Sequence, residues 1–156
     1  MTDYRLDPLW LKLNMMNAEG LTAFAPLAQA LQTQLGYNAA AAQRIIEEYR
    51  KFLFLAMRAG HQVIPPGIVN DAWLMHIENV QDYWETLGGM ISERPLAHGL
   101  GTAGGAPAAD AWKATLDSYE RIFGAKPPMD IWGGGPDVAN PWMRAMAMMR
   151  RFFARG

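Results

Sequence analysis

Few side chains in this sequence are equipped for chemistry, and their spacing limits what they could do together. There are three histidines, His61, His76 and His98, and no cysteine among 156 residues. Thiol nucleophiles, disulfide frameworks and cysteine-type zinc sites are therefore excluded. A catalytic zinc commonly takes three protein ligands and a water, so a histidine site would need the fold to bring distant residues together. Ser92 and Ser118 are the serines, and neither sits in a G-x-S-x-G elbow. Gly99-Leu-Gly101-Thr-Ala-Gly104 spells G-x-G-x-x-G. That fingerprint works between a strand and a helix, where the helix N-terminus meets a pyrophosphate. No strand pattern precedes it, so it reads as a loop. The acids Asp71, Glu78, Asp82 and Glu85 could supply an acid–base pair, but at helical spacing they read as a solvated face.

These residues must be positioned by helices. Asp7-Pro8 opens the first, since Asp caps free N–H groups and Pro tolerates the first helical position. The second runs from Pro26 to Gly36, with Phe24, Leu27, Leu31 and Leu35 as its stripe. The third starts after Asn38 and ends at Gly60. Ala42, Ile45, Ile46, Tyr49, Leu53 and Ala56 share one face. Arg44–Glu48 and Glu47–Lys51 stand four apart on the other side, as solvent-facing ion pairs. Val63-Ile64-Pro65-Pro66 must be extended, because a residue before proline avoids the helical region.

A fourth helix is expected from Gly67 to Leu87, with Val69, Trp73, His76, Ile77, Val80, Trp84 and Leu87 inward and Asp71, Glu78, Asp82 and Glu85 away from that stripe. Residues 89–109 read as a long Gly/Pro-rich loop. The fifth helix spans Asp110 to Phe123 and buries Trp112, Leu116, Tyr119 and Phe123. Gly133-Gly134-Gly135-Pro136 reads as a flexible joint. Asn140-Pro141 then opens a last helix. The expected fold is all-α, a compact bundle of about six helices with the long loop between the fourth and fifth. Residues 1–136 form the helical core, and residues 137–156 a C-terminal helix packed on the same domain.

The last helix is basic and rich in Met and aromatic residues. Trp142, Arg144, Met146, Met149, Arg150, Arg151 and Phe153 form its candidate partner-binding surface. Met adapts to varied partners, and a basic amphipathic helix suits a protein groove or, as an alternative, a membrane surface. Packing on its own core explains the same pattern. The net charge of −1 offers no field for nucleic acid. No apolar run reaches the twenty or so residues of a membrane span. A cytoplasmic location, no cofactor and a protein partner are the expectations.

Residues 49–132 resemble the glycine-rich domain-containing protein-like family. That family carries an extended Val-Pro segment, then V-D-x-x-W-H-x-H, a Tyr, an F-G helix end, a His-Pro element, a second Tyr with F-G, and Pro. The matching residues are Val63, Pro65-Pro66, Val69, Trp73, His76, Tyr83, His98, Tyr119, Phe123-Gly124, Pro127-Pro128 and Trp132. Asn70 stands where the family has Asp, and Leu74 where it has its first His. The resemblance implies a compact helical domain with an interaction role. It also suggests an alternative, an enzymatic or metal-binding pocket around Asn70, Trp73, His76, Tyr83 and His98, in which His76 and His98 would be the metal candidates.

Overall fold

The structure, a computed structural model, describes residues 3–15, 24–79 and 106–135. The described residues are helices and their connections, with no strand among them. A short 3-10 turn, Tyr4–Leu6, leads into α1 (Pro8–Met15), followed by α2 (Ala25–Leu35) and α3 (Ala39–Arg58). Then come α4 (Gly67–Asn79), α5 (Ala106–Phe123) and the four-residue α6 (Met129–Trp132). The expected loop over 89–109 lies outside the described residues up to 105. The expected last helix lies wholly outside them.

The helix ends follow their local chemistry. Asp7 Oδ1 accepts from the Leu9 N–H at 2.8 Å at the start of α1. Pro26 occupies the first turn of α2, where a missing N–H leaves no gap in the ladder. Gly36 closes α2 at φ +74°, a left-handed conformation that a Cβ would strain. Asn38 Oδ1 accepts from the Ala41 N–H at 2.8 Å and caps α3. Helix α5 begins at Ala106, four residues before the expected Asp110, with Pro107 fitting its first turn. A helix of four residues such as α6 carries no periodic signal and is not foreseen by pattern.

Helix α3 is the axis of the domain. It packs against α1, α2, α4 and α5, while α4 also packs on α2 and α6. A helix contacted from several sides buries more than one stripe. Phe52, Phe54 and Leu55 are therefore buried beside the expected Ile45, Ile46, Tyr49 and Leu53. The same geometry overturns two expectations. Glu48 is buried rather than solvent-facing, and so is Asp71 on α4. Arg44 pairs with Asp130 of α6 instead of Glu48, and Lys51 pairs with Glu48 instead of Glu47.

The connection from α3 to α4 is extended as the two prolines require, and it is pinned to α5. The Ile64 N–H donates to Thr115 Oγ1 at 3.0 Å, and that hydroxyl donates to the Ala111 carbonyl at 2.8 Å. Gly133–Gly135 is a hydrogen-bonded turn rather than a free joint. The Gly135 carbonyl accepts from the Gly67 N–H at 3.1 Å, which attaches the turn to the first residue of α4. An aromatic box of Tyr4, Trp10, Phe54 and Phe123 fixes the N-terminal turn to α3 and α5. Its edge-on pairs have centroids 4.8–5.6 Å apart.

Candidate functional site

Among the described residues, one buried polar cluster is built on Glu48, which is 5% exposed. Its Oε2 accepts from the Tyr119 hydroxyl at 2.9 Å and from the Trp132 indole N–H at 2.8 Å. Its Oε1 accepts from Lys51 Nζ at 3.1 Å, and Lys51 Nζ also donates to the Tyr119 hydroxyl at 2.9 Å. The ammonium lies 5.3 Å from the Tyr119 ring centroid and 5.6 Å from that of Phe123. Helices α3, α5 and α6 thus meet on one carboxylate. Burial and the adjacent Glu48 charge push the Tyr119 phenol above its ordinary value. A neutral phenol held in this way donates to the carboxylate and is poorly suited to act as a base.

The second cluster lies where α2, α3 and α4 pack. His76 is fully buried and its Nδ1 is 2.9 Å from the Tyr49 hydroxyl. Its ring lies 5.6 Å from Tyr49, edge-on, and 5.6 Å from Phe24. Trp73, one turn earlier on α4, is fully buried against Phe52 at 5.4 Å. Asn70 is half-buried, and its N–H donates to the Pro66 carbonyl at 2.8 Å as α4 begins. Of the pocket suggested by the resemblance, Trp73 and His76 are brought together inside the core. Asn70 starts the same helix. Tyr83 and His98 lie outside the described residues. Among the described residues no three His, Asp or Glu side chains gather in a metal-ligating group.

His61 and Ser118 form a pair that the sequence spacing could not reveal. His61 Nδ1 donates to the Gln62 carbonyl at 2.8 Å. In the neutral ring this leaves Nε2 as the acceptor, 2.6 Å from Ser118 Oγ. Arg121 Nη2 donates to the same oxygen at 3.4 Å. A base oriented by one partner and bonded to a hydroxyl is the arrangement of nucleophilic catalysis. Two features argue for docking instead. Ser118 is 4% exposed, so a substrate carbonyl has no open approach. It also sits inside α5, where its own N–H belongs to the helix ladder and cannot serve an oxyanion. Together with Thr115 it clamps the α3–α4 connection.

A shallow groove of about 120 Å³ lies between the α2–α3 turn, α3, α4 and α6. Ile45, Ile68 and Ile131 supply apolar lining, and Tyr37, Arg44 and Asp130 the polar part. Arg44 and Asp130 form a two-pronged ion pair, with Nη2 3.0 Å from Oδ1. Small-molecule sites usually enclose some 300–1,000 Å³, so this groove fits a single aliphatic side chain. Burial and the Asp71 carboxylate push the Tyr37 phenol up.

The candidate partner-binding residues Trp142, Arg144, Met146, Met149, Arg150, Arg151 and Phe153 lie outside the described residues. Apolar side chains do stand exposed at the other end of the chain. Leu6 is 71%, Leu11 48% and Met15 57% exposed. Among the described residues, no helix is long and apolar enough to cross a membrane. No family model, curated protein or solved structure matches this chain.

Proposed function

We propose that this chain is a small helical protein-interaction module that performs no catalysis. The observation that carries the reading is the exposed apolar surface of α1 and the turn before it. Leu11 and Met15 are one helical turn apart and adjacent, and Leu6 precedes them. Isolated exposed apolar residues are ordinary, whereas grouped ones mark contact surfaces. Three further points support it. The groups that could have carried chemistry, Glu48, Tyr119, His76, His61 and Ser118, bond one helix to another or to a connection. The groove is the size of a side chain. The resemblance to the glycine-rich domain-containing protein-like family points to an interaction role, with the Met- and Arg-rich stretch over 142–153 as a second contact surface.

The test is a photoreactive residue placed at Leu11 and, separately, at Met149. The proposal expects a discrete protein adduct at one or both positions. The Leu11 adduct should disappear in Met15→Glu while the variant keeps the wild-type circular dichroism and melting profile. Diffuse labelling at both positions, unaffected by Met15→Glu, would remove the reading.

A further inference from the structure

The groove between α3, α4 and α6 has an apolar floor and a charged rim. Ile45, Ile68 and Ile131 form the floor, and Arg44 and Asp130 stand at the rim. Both rim side chains are about half exposed. Directly before Asp130 on α6, Met129 is 74% exposed. An unbranched thioether left in water is free to adapt to an irregular pit. A pit for one aliphatic side chain and an exposed aliphatic side chain thus lie side by side on the same short helix. The surroundings lack charge. From Gly20 to Gln43 the sequence holds no charged residue, and Gly36, Asn38 and Ala40 are exposed where α2 passes into α3. Depletion of charge around an apolar centre is what distinguishes the core of an interface from the rest of a surface.

A knob beside its own size of pit is complementary to a second copy of itself related by a two-fold axis. The rim charges obey the same symmetry. Across the axis Arg44 of one chain meets Asp130 of the other, and the reverse. A carboxylate accepts from more than one guanidinium, so the pair within each chain persists and the charges alternate in sign around the axis. We propose that this face is a homodimer interface, in which Met129 of each chain enters the pit of the other between Ile45, Ile68 and Ile131. An unrelated partner would have to bring the knob and both charges in register, whereas a second copy brings them by symmetry. The uncharged corner of α2 and α3 adds area toward the about 800 Å² per partner that stable complexes bury. The face lies on the first half of α3, while α1 is held to the second half through Arg50 and Arg58. It is therefore separate from the Leu11 surface and stands independently of the reading built on that surface.

Sedimentation equilibrium of the full chain, run from micromolar to millimolar concentration, should show a reversible monomer–dimer equilibrium. Met129→Glu carries a charge into the pit and should raise the dissociation constant of the dimer about tenfold or more. Arg44→Asp and Asp130→Arg each gather like charges at the axis. Either variant alone should be monomeric at concentrations where the wild type is a dimer. Mixed in equal amounts, the two should dimerise again, because acids of one chain then face bases of the other. The pair within each chain stays broken in that mixture, so a merely structural role of Arg44 and Asp130 predicts no rescue. Both residues are exposed, and the circular dichroism of each variant should match the wild type. A wild-type chain that stays monomeric throughout would overturn the proposal, and so would a dimer indifferent to Met129→Glu, which would place the contact on another surface. Charge variants that dimerise alone as well as they do mixed, or that fail to dimerise when mixed, would overturn it too.

Discussion

Replacing Tyr119 by Phe deletes the hydroxyl that donates to Glu48 and accepts from Lys51. A buried acceptor left short of a donor costs about 1–3 kcal/mol, and that loss should appear in urea melts at neutral pH. The same hydroxyl sets an alkaline limit. Its ionisation is pushed above the ordinary value near 10, chiefly by burial and then by Glu48. Below about pH 10 folded and unfolded chains both keep the proton, and the contribution is whole. Above it the unfolded chain releases the proton first, so stability falls as pH rises. Tyr119→Phe should show a shallower alkaline decline than the wild type. An equally steep decline would assign it to another group. Asp7 works in the opposite sense. The bond from Arg58 holds its carboxyl below the ordinary value near 3.8, so its contribution is present above that pH and is lost as pH falls through the lowered value. Arg58→Met should cost about 0.2–1 kcal/mol at neutral pH and converge with the wild type in acid. Of these groups, sequence spacing places Tyr119 on a buried face and Asp7 at a cap. It misplaces Glu48, because the four-residue rule sees partners on the same helix. Those that bury Glu48 lie 71 and 84 residues away.

The elements themselves were largely legible, because helix ends are local chemistry. Asp7, Gly36, Asn38, Gly60 and Gly124 end or start helices where their side chains or their freedom at positive φ suggest. Asn38→Ala should cost about 0.5–2 kcal/mol through the lost bond to the Ala41 N–H, measured by chemical denaturation. Less legible is how elements attach to one another. Thr115 and Ser118 look like two small polar residues within α5, yet they hold the extended α3–α4 connection. Thr115→Val keeps the shape and removes the acceptor for the Ile64 N–H. It should cost about 1–3 kcal/mol and raise amide exchange at Ile64 before that of α3. The short α6 escapes periodicity, and what fixes it is the Trp132 bond to Glu48 together with the Arg44–Asp130 pair.

At the scale of the molecule, the described residues have a polar interior that fastens helices, and Leu6, Leu11 and Met15 stand exposed near the N-terminus, where the proposed interaction would take place. The pocket expected from the resemblance became in part a piece of core: His76 and Trp73 sit among Tyr49, Phe24 and Phe52. The sequence supplied an inward helical face for both residues but no means of telling a lined pocket from a filled one. The central claim is that Glu48 fastens α3, α5 and α6 rather than serving chemistry. Glu48→Met tests it most directly, since Met keeps the length and volume while removing both acceptors. A fastening carboxylate predicts a loss of about 3–5 kcal/mol, because the Tyr119 hydroxyl and the Trp132 indole lose the acceptor for their protons and Lys51 loses its carboxylate partner, with faster amide exchange concentrated in α5 and α6. A carboxylate kept in the core for catalysis at the expense of stability predicts the reverse, and a variant as stable as the wild type or more so would contradict the account.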